Sequence, residues 1–436
     1  MSVRRVPAYS IDRTVTQVTV AGWCCARLTL RTAGGRLFQW RVDIRDGIAG
    51  PCTGESRQMA TRDGHAERSL EVLFHADGIH GVSGEELDCG RVMAIARAFG
   101  DSLNEGDGRF VVGHDARISS ASLAEAVSLG LRSGGHHVTH IGLCTTPMVG
   151  WVGAEGGYDG SVMITGGHRP PEYNGLKLCG RDALPLTARD GLPQVRSRVR
   201  LPFAFDRSCT PVIEHRRPLD DYSCVVRRFL RGAGPLKLAI DAGNGVGGID
   251  TRRVFDHFPH LWRHEIDFEP DGRFPHRSPD PFASGALERL SECVVKHGCA
   301  FGLAFDGDAD RAAVVDERGQ PVAPGVIGAL VALRLLGRKP GATVLYDPGC
   351  GPAVADAIEG GGGSALACGS DRSSIQAAMR ERKALFALDA SGRCYYSDLH
   401  GTDNALRTLV ELVQVLSGAA QTLSELAGII DQGSAA

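Results

Sequence analysis

Asp306-Gly307-Asp308-Ala309-Asp310-Arg311 closes an apolar run, Ala300–Phe305, that suits a buried strand. Three carboxylates at alternate positions of a turning loop can converge on one point. Like charges brought together in this way repel unless a cation neutralises them. Hard oxygen donors suit Mg²⁺, which keeps waters or takes a phosphate oxygen. The ordinary alternative is an acidic surface loop, but the preceding strand and the internal glycine favour a metal loop. Asp306, Asp308 and Asp310 are therefore the expected metal ligands.

Outward from this loop the same strand, loop and helix pattern recurs from about residue 71. Phe110–Gly113 and His137–Gly142 read as strands, with a helix near Ala121–Arg132. Leu236–Ile240 closes into Asp241-Ala242-Gly243-Asn244-Gly245-Val246-Gly247, and Ala342–Tyr346 and Ala384–Leu388 are further strands, with a helix over Ser373–Arg382. The end reads as helical over Thr402–Leu416 and Thr422–Ile430, with a small-residue tail, Gly433–Ala436. This alternation predicts an α/β fold with mostly parallel sheets covered on both faces. Ligands in such sheets bind at the carboxyl ends of the strands.

Further candidates follow strands too. Thr165-Gly166-Gly167-His168-Arg169-Pro170-Pro171-Glu172-Tyr173-Asn174-Gly175-Leu176-Lys177 follows Val162–Ile164. Its backbone N–H groups can hold an anion, and His168 and Lys177 suit acid, base or phosphate contacts. Alone, it reads equally as a Gly/Pro turn. Asp77–Gly81 and Gly113–Ser120 are nonspecific glycine turns, and the side chains of Asp389-Ala390-Ser391-Gly392-Arg393 suit a sugar hydroxyl.

Taken in order, these motifs resemble the α-D-phosphohexomutase family, the phosphomannomutase and phosphoglucomutase enzymes. Asp77–Gly81, Gly113–Ser120, the active loop Thr165–Lys177, Asp241–Gly247, Pro270–Pro275, the intact metal loop Asp306–Arg311 and the sugar loop Leu388–Arg393 span about residues 74–430. The resemblance implies three consecutive α/β domains with mostly parallel mixed sheets: 71–212 with the active loop, 213–320 with the metal loop and 321–436 with the sugar loop. It implies Mg²⁺ at Asp306, Asp308 and Asp310. His168, Lys177 and Arg169 become the catalytic candidates, and Thr165, Arg117, Asn174, Arg311, Asp389, Ser391 and Arg393 the substrate-binding ones. In the family, an active-loop phosphoserine passes a phosphoryl group to the sugar phosphate and recovers one from the other end of the bisphosphate. A fourth domain grips the non-reacting phosphate through an RxSGTEP-type loop.

Two departures matter. Gly167 stands at the serine position, and a glycine has no hydroxyl to carry a phosphoryl group. The sequence also ends without an RxSGTEP loop, so the fourth domain is expected to be absent. Smaller changes are Arg169 for asparagine, Asp389 for glutamate, Arg393 for histidine, and His80 and His114 for arginines. His168, Tyr173, Asn174, Gly175, Lys177 and the whole metal loop still match. The first expectation is thus a Mg²⁺-dependent phosphosugar-binding protein that has lost phosphoserine mutase activity. The second is an enzyme of altered chemistry on a sugar or nucleoside phosphate. There, metal-assisted hydrolysis would be helped by His168 or Lys177, with Arg169 holding the phosphate. The third is a true mutase using another nucleophile such as Thr165, although a misplacement of about 1 Å already costs about a hundredfold in rate.

Composition supports this frame. A net charge of −3 over 436 residues, with no basic run, excludes nucleic-acid binding through bulk charge. A hydrophobic share of 43% excludes global disorder. The longest apolar stretch, around Gly325–Leu336, contains Arg334 and falls short of the roughly 18 residues that span a bilayer, so no membrane partner is expected. The start carries no apolar signal region, and the 13 cysteines form no CxxC pair. Both point to a cytoplasmic protein with reduced, mostly buried thiols and neither a disulfide frame nor a zinc site. Residues 1–70 read as an extra β module. Thr14–Val20 alternates, as do Phe38, Trp40, Val42 and Ile44 after a turn at Ala33-Gly34-Gly35, before a polar linker, Asp46–Glu67. Pro51–Ser56 faintly echoes the missing phosphate loop. The module suits docking to a partner protein or assembly of a homo-oligomer.

Overall fold

A computed structural model describes residues 25–31, 37–43, 70–76, 78–204 and 212–432. The chain divides into two compact units, Met1–Arg62 and Asp63–Ala436. In the first, β1 (Cys25–Arg31) pairs antiparallel with β2 (Leu37–Asp43), with Leu28 opposite Trp40. β2 covers Phe38, Trp40 and Val42 of the expected strand. β1 is a strand the sequence reading passes over, although Leu28 and Leu30 alternate there with Arg27, Thr29 and Arg31. Ile44, Thr14–Val20, Ala33–Gly35, Asp46–Glu67, Pro51–Ser56, Asp77 and Gly433–Ala436 lie outside the described residues.

The second unit holds three sheets. The first contains β3 (Phe74–His75), β4 (Gly78–Val82), β5 (Arg109–His114), β6 (His137–Leu143), β7 (Gly160–Ile164), β8 (Tyr173–Cys179) and β9 (Ile213–His215), in the order β3-β4-β8-β7-β5-β6-β9. The second contains β10 (Leu236–Asp241), β11 (Leu261–Ile266), β12 (Phe301–Phe305), β13 (Ala312–Val315) and β14 (Pro321–Val322), in the order β11-β10-β12-β13-β14. The third contains β15 (Thr343–Tyr346), β16 (Ser364–Ala367), β17 (Phe386–Leu388), β18 (Cys394–Tyr396) and β19 (Thr402–Asp403), in the order β16-β15-β17-β18-β19. The path β6-β5-β7-β8-β4 in the first sheet repeats that of the other two.

The α/β class and its mixed sheets are as expected, but the sheets are not mostly parallel. Each has as many antiparallel as parallel pairings. The reason is local. After the third parallel strand of each sheet (β7, β12 or β17) the chain makes its motif loop and returns as an antiparallel neighbour. Ile213–His215 pairs with β6 in the first sheet, and Pro321–Val322 pairs with β13 in the second.

Near the end, Thr402–Asp403 is strand β19, not the start of a helix. Asn404, in an extended conformation, accepts the Arg407 N–H at 2.9 Å and caps the helix Ala405–Leu416. That helix is buried on almost every side, and Asn404 Nδ2 also donates to the Tyr222 hydroxyl at 2.7 Å. A single apolar core runs from Trp151 and Tyr222 through Phe305 to Phe386 and Leu409, tying elements of all three sheets together. Pro324–Leu336 is a core helix, and no described helix is long and apolar enough to cross a membrane.

Asp250 lies within this packing, on the helix Gly247–Phe255, where it accepts the Thr145 hydroxyl at 2.6 Å. Its second oxygen is buried without a partner, and burial pushes its pKa up to about 7. The folded state therefore holds a proton that the unfolded chain releases near the ordinary aspartate value of 3.8. Stability is predicted to fall as pH rises from about 4 to about 7, by up to about 4 kcal/mol. Asp250→Asn keeps an acceptor for Thr145 and removes the titration. Urea denaturation should show it more stable than the parent at about pH 8 and nearly equal at about pH 4. An unchanged difference between the two would count against a buried, protonated Asp250.

Candidate functional site

The three motif loops leave equivalent strands and are built alike. Each begins with a side-chain oxygen that takes the loop's own N–H groups, a device of short polar residues at turns. Thr165 Oγ1 accepts from Gly167 N at 2.8 Å. Asp306 Oδ1 accepts from Asp310 N at 3.0 Å and Arg311 N at 3.1 Å. Asp389 Oδ1 accepts from Ser391 N at 2.9 Å and Arg393 N at 3.1 Å. The neighbouring strands β5, β10 and β15 lead to Asp115, Asp241 and Asp347. Each of these takes the N–H two residues on, at 3.0, 2.6 and 2.9 Å.

The loops meet. Asp306, Asp308 and Asp310 are buried, with ligand oxygens within 4.8 Å of one another. Lys177, from β8 of the first sheet, places its ammonium 2.6 Å from both Asp308 Oδ2 and Asp310 Oδ2. Thr146, at the start of the helix Thr146–Glu155, donates its hydroxyl to Asp308 Oδ2. One oxygen of each carboxylate, Asp306 Oδ2, Asp308 Oδ1 and Asp310 Oδ1, is buried with no hydrogen bond. Three such orphaned hard oxygens fit a Mg²⁺-sized cation. Burial and the charges of Asp310 and Asp308 hold the Asp306 carboxyl well above the usual range. Burial raises Asp310 too, but Lys177, Arg393, Arg372 and Arg311 outweigh it and hold that carboxyl well below. Lys177 is pulled down by burial and up more strongly by Asp308 and Asp310, so it stays charged. A locked ammonium cannot accept a proton.

The active loop is held from beneath by Arg117, whose guanidinium is wholly buried. Its Nε donates to Asp115 at 3.1 Å, Nη1 to the carbonyls of Pro170 (2.5 Å) and Tyr173 (2.9 Å), and Nη2 to those of Gly167 (2.8 Å) and Arg169 (2.6 Å). These contacts use all five guanidinium donors, so none is left for a substrate. Thr165 and Asn174 are likewise committed. Thr165 Oγ1 donates to Asp115 Oδ2 at 2.7 Å, and the Asn174 amide donates to Ser119 and Ser120 and accepts from Gly175 N. In this arrangement Arg117, Thr165 and Asn174 support the loop.

Gly167 faces the aspartates. A Cβ built on it would lie 3.5 Å from Asp308 Oδ1, and its backbone is left-handed at φ 56°. Gly307 packs so closely that a Cβ there would come within 2.6 Å of the Gly167 carbonyl, so the two loops touch through backbone. His168 lines the same cleft, and burial with the Arg311 charge pushes its pKa down to about 4. Arg169 also lines the cleft, and its Nη2 donates to His80 Nε2; the His80 ring stacks on His75 with centroids 3.8 Å apart.

The third loop completes the cleft. Arg393 lies 3.6 Å from Asp310 and 3.4 Å from Asp403, and its Nη1 donates to Ser391 Oγ at 2.9 Å. The Asp389 carboxylate takes Ser391, Arg393 N and the Tyr395 hydroxyl, and the Ser391 hydroxyl donates to Asp389 at 2.7 Å. Asp389 and Ser391 thus shape their own loop. Arg311 Nε and Arg393 Nε are buried donors without a hydrogen-bond partner and remain suited to an anion. Sequence reasoning misses two residues: Asp403, buried, and Arg372, which bonds it at 2.7 Å. Reading Thr402–Leu416 as helix hides Asp403, and Arg372 carries no local motif.

With this geometry in place, known proteins can be set beside it. Residues 71–197 match a family model described as phosphoglucomutase/phosphomannomutase, alpha/beta/alpha domain I, and residues 225–319 match the corresponding domain II. A "Phosphohexose mutases" protein of Xanthomonas campestris pv. campestris (strain B100) is 31% identical over 360 residues, 81% of this chain and 79% of the relative. A phosphomannomutase of Escherichia coli (strain K12) is 30% identical over 368 residues, 81% of this chain and 79% of the relative. A crystal structure of a phosphoglucomutase/phosphomannomutase family protein from Burkholderia thailandensis superposes with a TM-score of 0.74 at 31% identity, covering 82% of this chain and 79% of that one.

Arg117→Lys replaces five directed donors with one compact ammonium. It is predicted to cost about 3–5 kcal/mol of stability in urea denaturation, as when one partner of a buried ionic network is lost. A cost below about 1 kcal/mol would show that the loop does not depend on the guanidinium.

Proposed function

Because the chain belongs to the phosphoglucomutase/phosphomannomutase family, we propose that it binds a phosphorylated sugar in the cleft between the three loops without passing a phosphoryl group through residue 167. The observation that carries this reading is Gly167. The residue aimed at the aspartates has no side chain, while the carboxylates and arginines around it are in place. Mg²⁺ held by Asp306, Asp308 and Asp310 would offset the negative charge of the substrate phosphate. Arg311 and Arg393, whose Nε donors make no hydrogen bond but lie within ion-pair distance of buried aspartates, add positive charge for the same anion. Lys177 holds two of the carboxylates in place, and Arg117 holds the loop that walls the cleft.

A hydrolytic variant is supported by His168. Its depressed pKa leaves the imidazole neutral near neutral pH, so it can take the proton of an attacking water while the phosphorus–oxygen bond to the sugar breaks. A pKa of about 4 makes it a weak base, which places this reading second. Thr165 offers little support as a substitute nucleophile, because its hydroxyl proton already goes to Asp115.

Incubation with Mg²⁺ and a panel of hexose, pentose and nucleoside phosphates, followed by ³¹P NMR and calorimetry, tests these readings. The expected result is saturable, Mg²⁺-dependent binding without isomerisation, weakened at least about tenfold in Asp308→Ala. Positional isomers would overturn the proposal. Free phosphate that disappears in Asp308→Ala would replace it with hydrolysis. Intact mass is expected to show no stable phosphoprotein.

Gly167→Ser makes a sharper prediction. The new Cβ meets ordinary contact distance at Asp308, and the left-handed backbone costs about 1–2 kcal/mol. The variant is expected to gain one phosphoryl mass when treated with a sugar bisphosphate and Mg²⁺, while the parent gains none.

A further inference from the structure

A second set of metal-ligating side chains lies apart from the carboxylate cluster. His264 stands on β11, the edge strand of the second sheet. Cys293 and His297 stand one turn apart on the helix Glu288–His297, which packs on the same sheet. One ligand atom from each of the three lies within 4.8 Å of the others. The His264 and His297 rings stack with centroids 4.0 Å apart, at 22° to each other. Among the described residues, none of these three side chains has a hydrogen bond or ion pair to hold it.

The ordinary reading is two stacked imidazoles over a half-buried thiol. Two observations favour a ligand. The helix supplies a Cys and a His at the i, i+4 spacing that puts both on one face. The adjacent strand supplies a third donor at the same point. Lys237 lies close, donating to the His297 carbonyl at 3.1 Å, so a cation there needs an anionic ligand to balance it. A Cys293 thiolate would provide that charge. Two imidazole nitrogens and one thiolate form a borderline-soft set that suits Zn²⁺ and not Mg²⁺.

We propose that His264, Cys293 and His297 bind a Zn²⁺-type transition metal, with three protein ligands and one open position, and so pin edge strand β11 to the helix Glu288–His297. Binding displaces the thiol proton, which leaves to solvent, and forms the sulfur–metal bond; no oxidation is involved.

Co²⁺ titration of the full, reduced chain in excess Mg²⁺, which occupies the hard-oxygen site, tests this. The expected result is a thiolate-to-cobalt charge-transfer band in the near ultraviolet that saturates at one ion per chain. Cys293→Ser should abolish the band. His264→Ala and His297→Ala should each weaken Co²⁺ and Zn²⁺ binding at least about tenfold, read by competition with a chromophoric chelator. A parent protein without the band would overturn the proposal. So would a band that survives Cys293→Ser, or affinities unchanged in both histidine variants. Circular dichroism of each variant confirms that the fold is retained, so a lost band reports on the ligand itself.

Discussion

One ammonium set between two buried carboxylates organises the site. Lys177 belongs to the first sheet, while Asp308 and Asp310 belong to a loop of the second. Burying three like charges is costly unless they are paired. The loop can close over its aspartates only because the neighbouring sheet delivers a countercharge at 2.6 Å. That pairing fixes the two sheets against each other at the cleft. The third sheet joins through Arg393, which lies 3.6 Å from Asp310.

Most of the fold and the metal loop can be read directly from residues. Apolar runs of four to six residues closing on Asp or Gly-rich loops mark the strands, because a buried strand must be apolar and its polar ends must turn. The carboxylate cluster is legible because alternate aspartates in a turn either repel one another or share a cation. What stays hidden is the use of each side chain. Arg117, Thr165, Asn174, Asp389 and Ser391 belong to motif positions and read as substrate contacts. Their hydrogen bonds in fact go to backbone and neighbouring loop atoms, and only three-dimensional satisfaction of donors reveals this. Asp403 is hidden for a different reason: a two-residue strand before an Asn cap is too short to produce a period. The antiparallel return strands escape because a hairpin around a long functional loop carries none of the tight-turn signals.

The cysteine pattern shows the same limit. With no CxxC pair, the sequence argues against a zinc site, yet Cys293 and His297 share a helical face and His264 arrives from a strand distant in sequence. Of the nine thiols described, four are buried, two exposed and three intermediate, so the thiols are less uniformly hidden than composition implies.

Arg117 carries a consequence of a different kind. A guanidinium that bonds only main-chain carbonyls and one fixed aspartate is indifferent to which side chains the loop displays. Such a template holds the loop's course while its surface residues change. The curve around Gly167 can thus keep its shape whatever group the loop presents to the metal loop. In this chain the course of the loop and the group it presents are set by different residues.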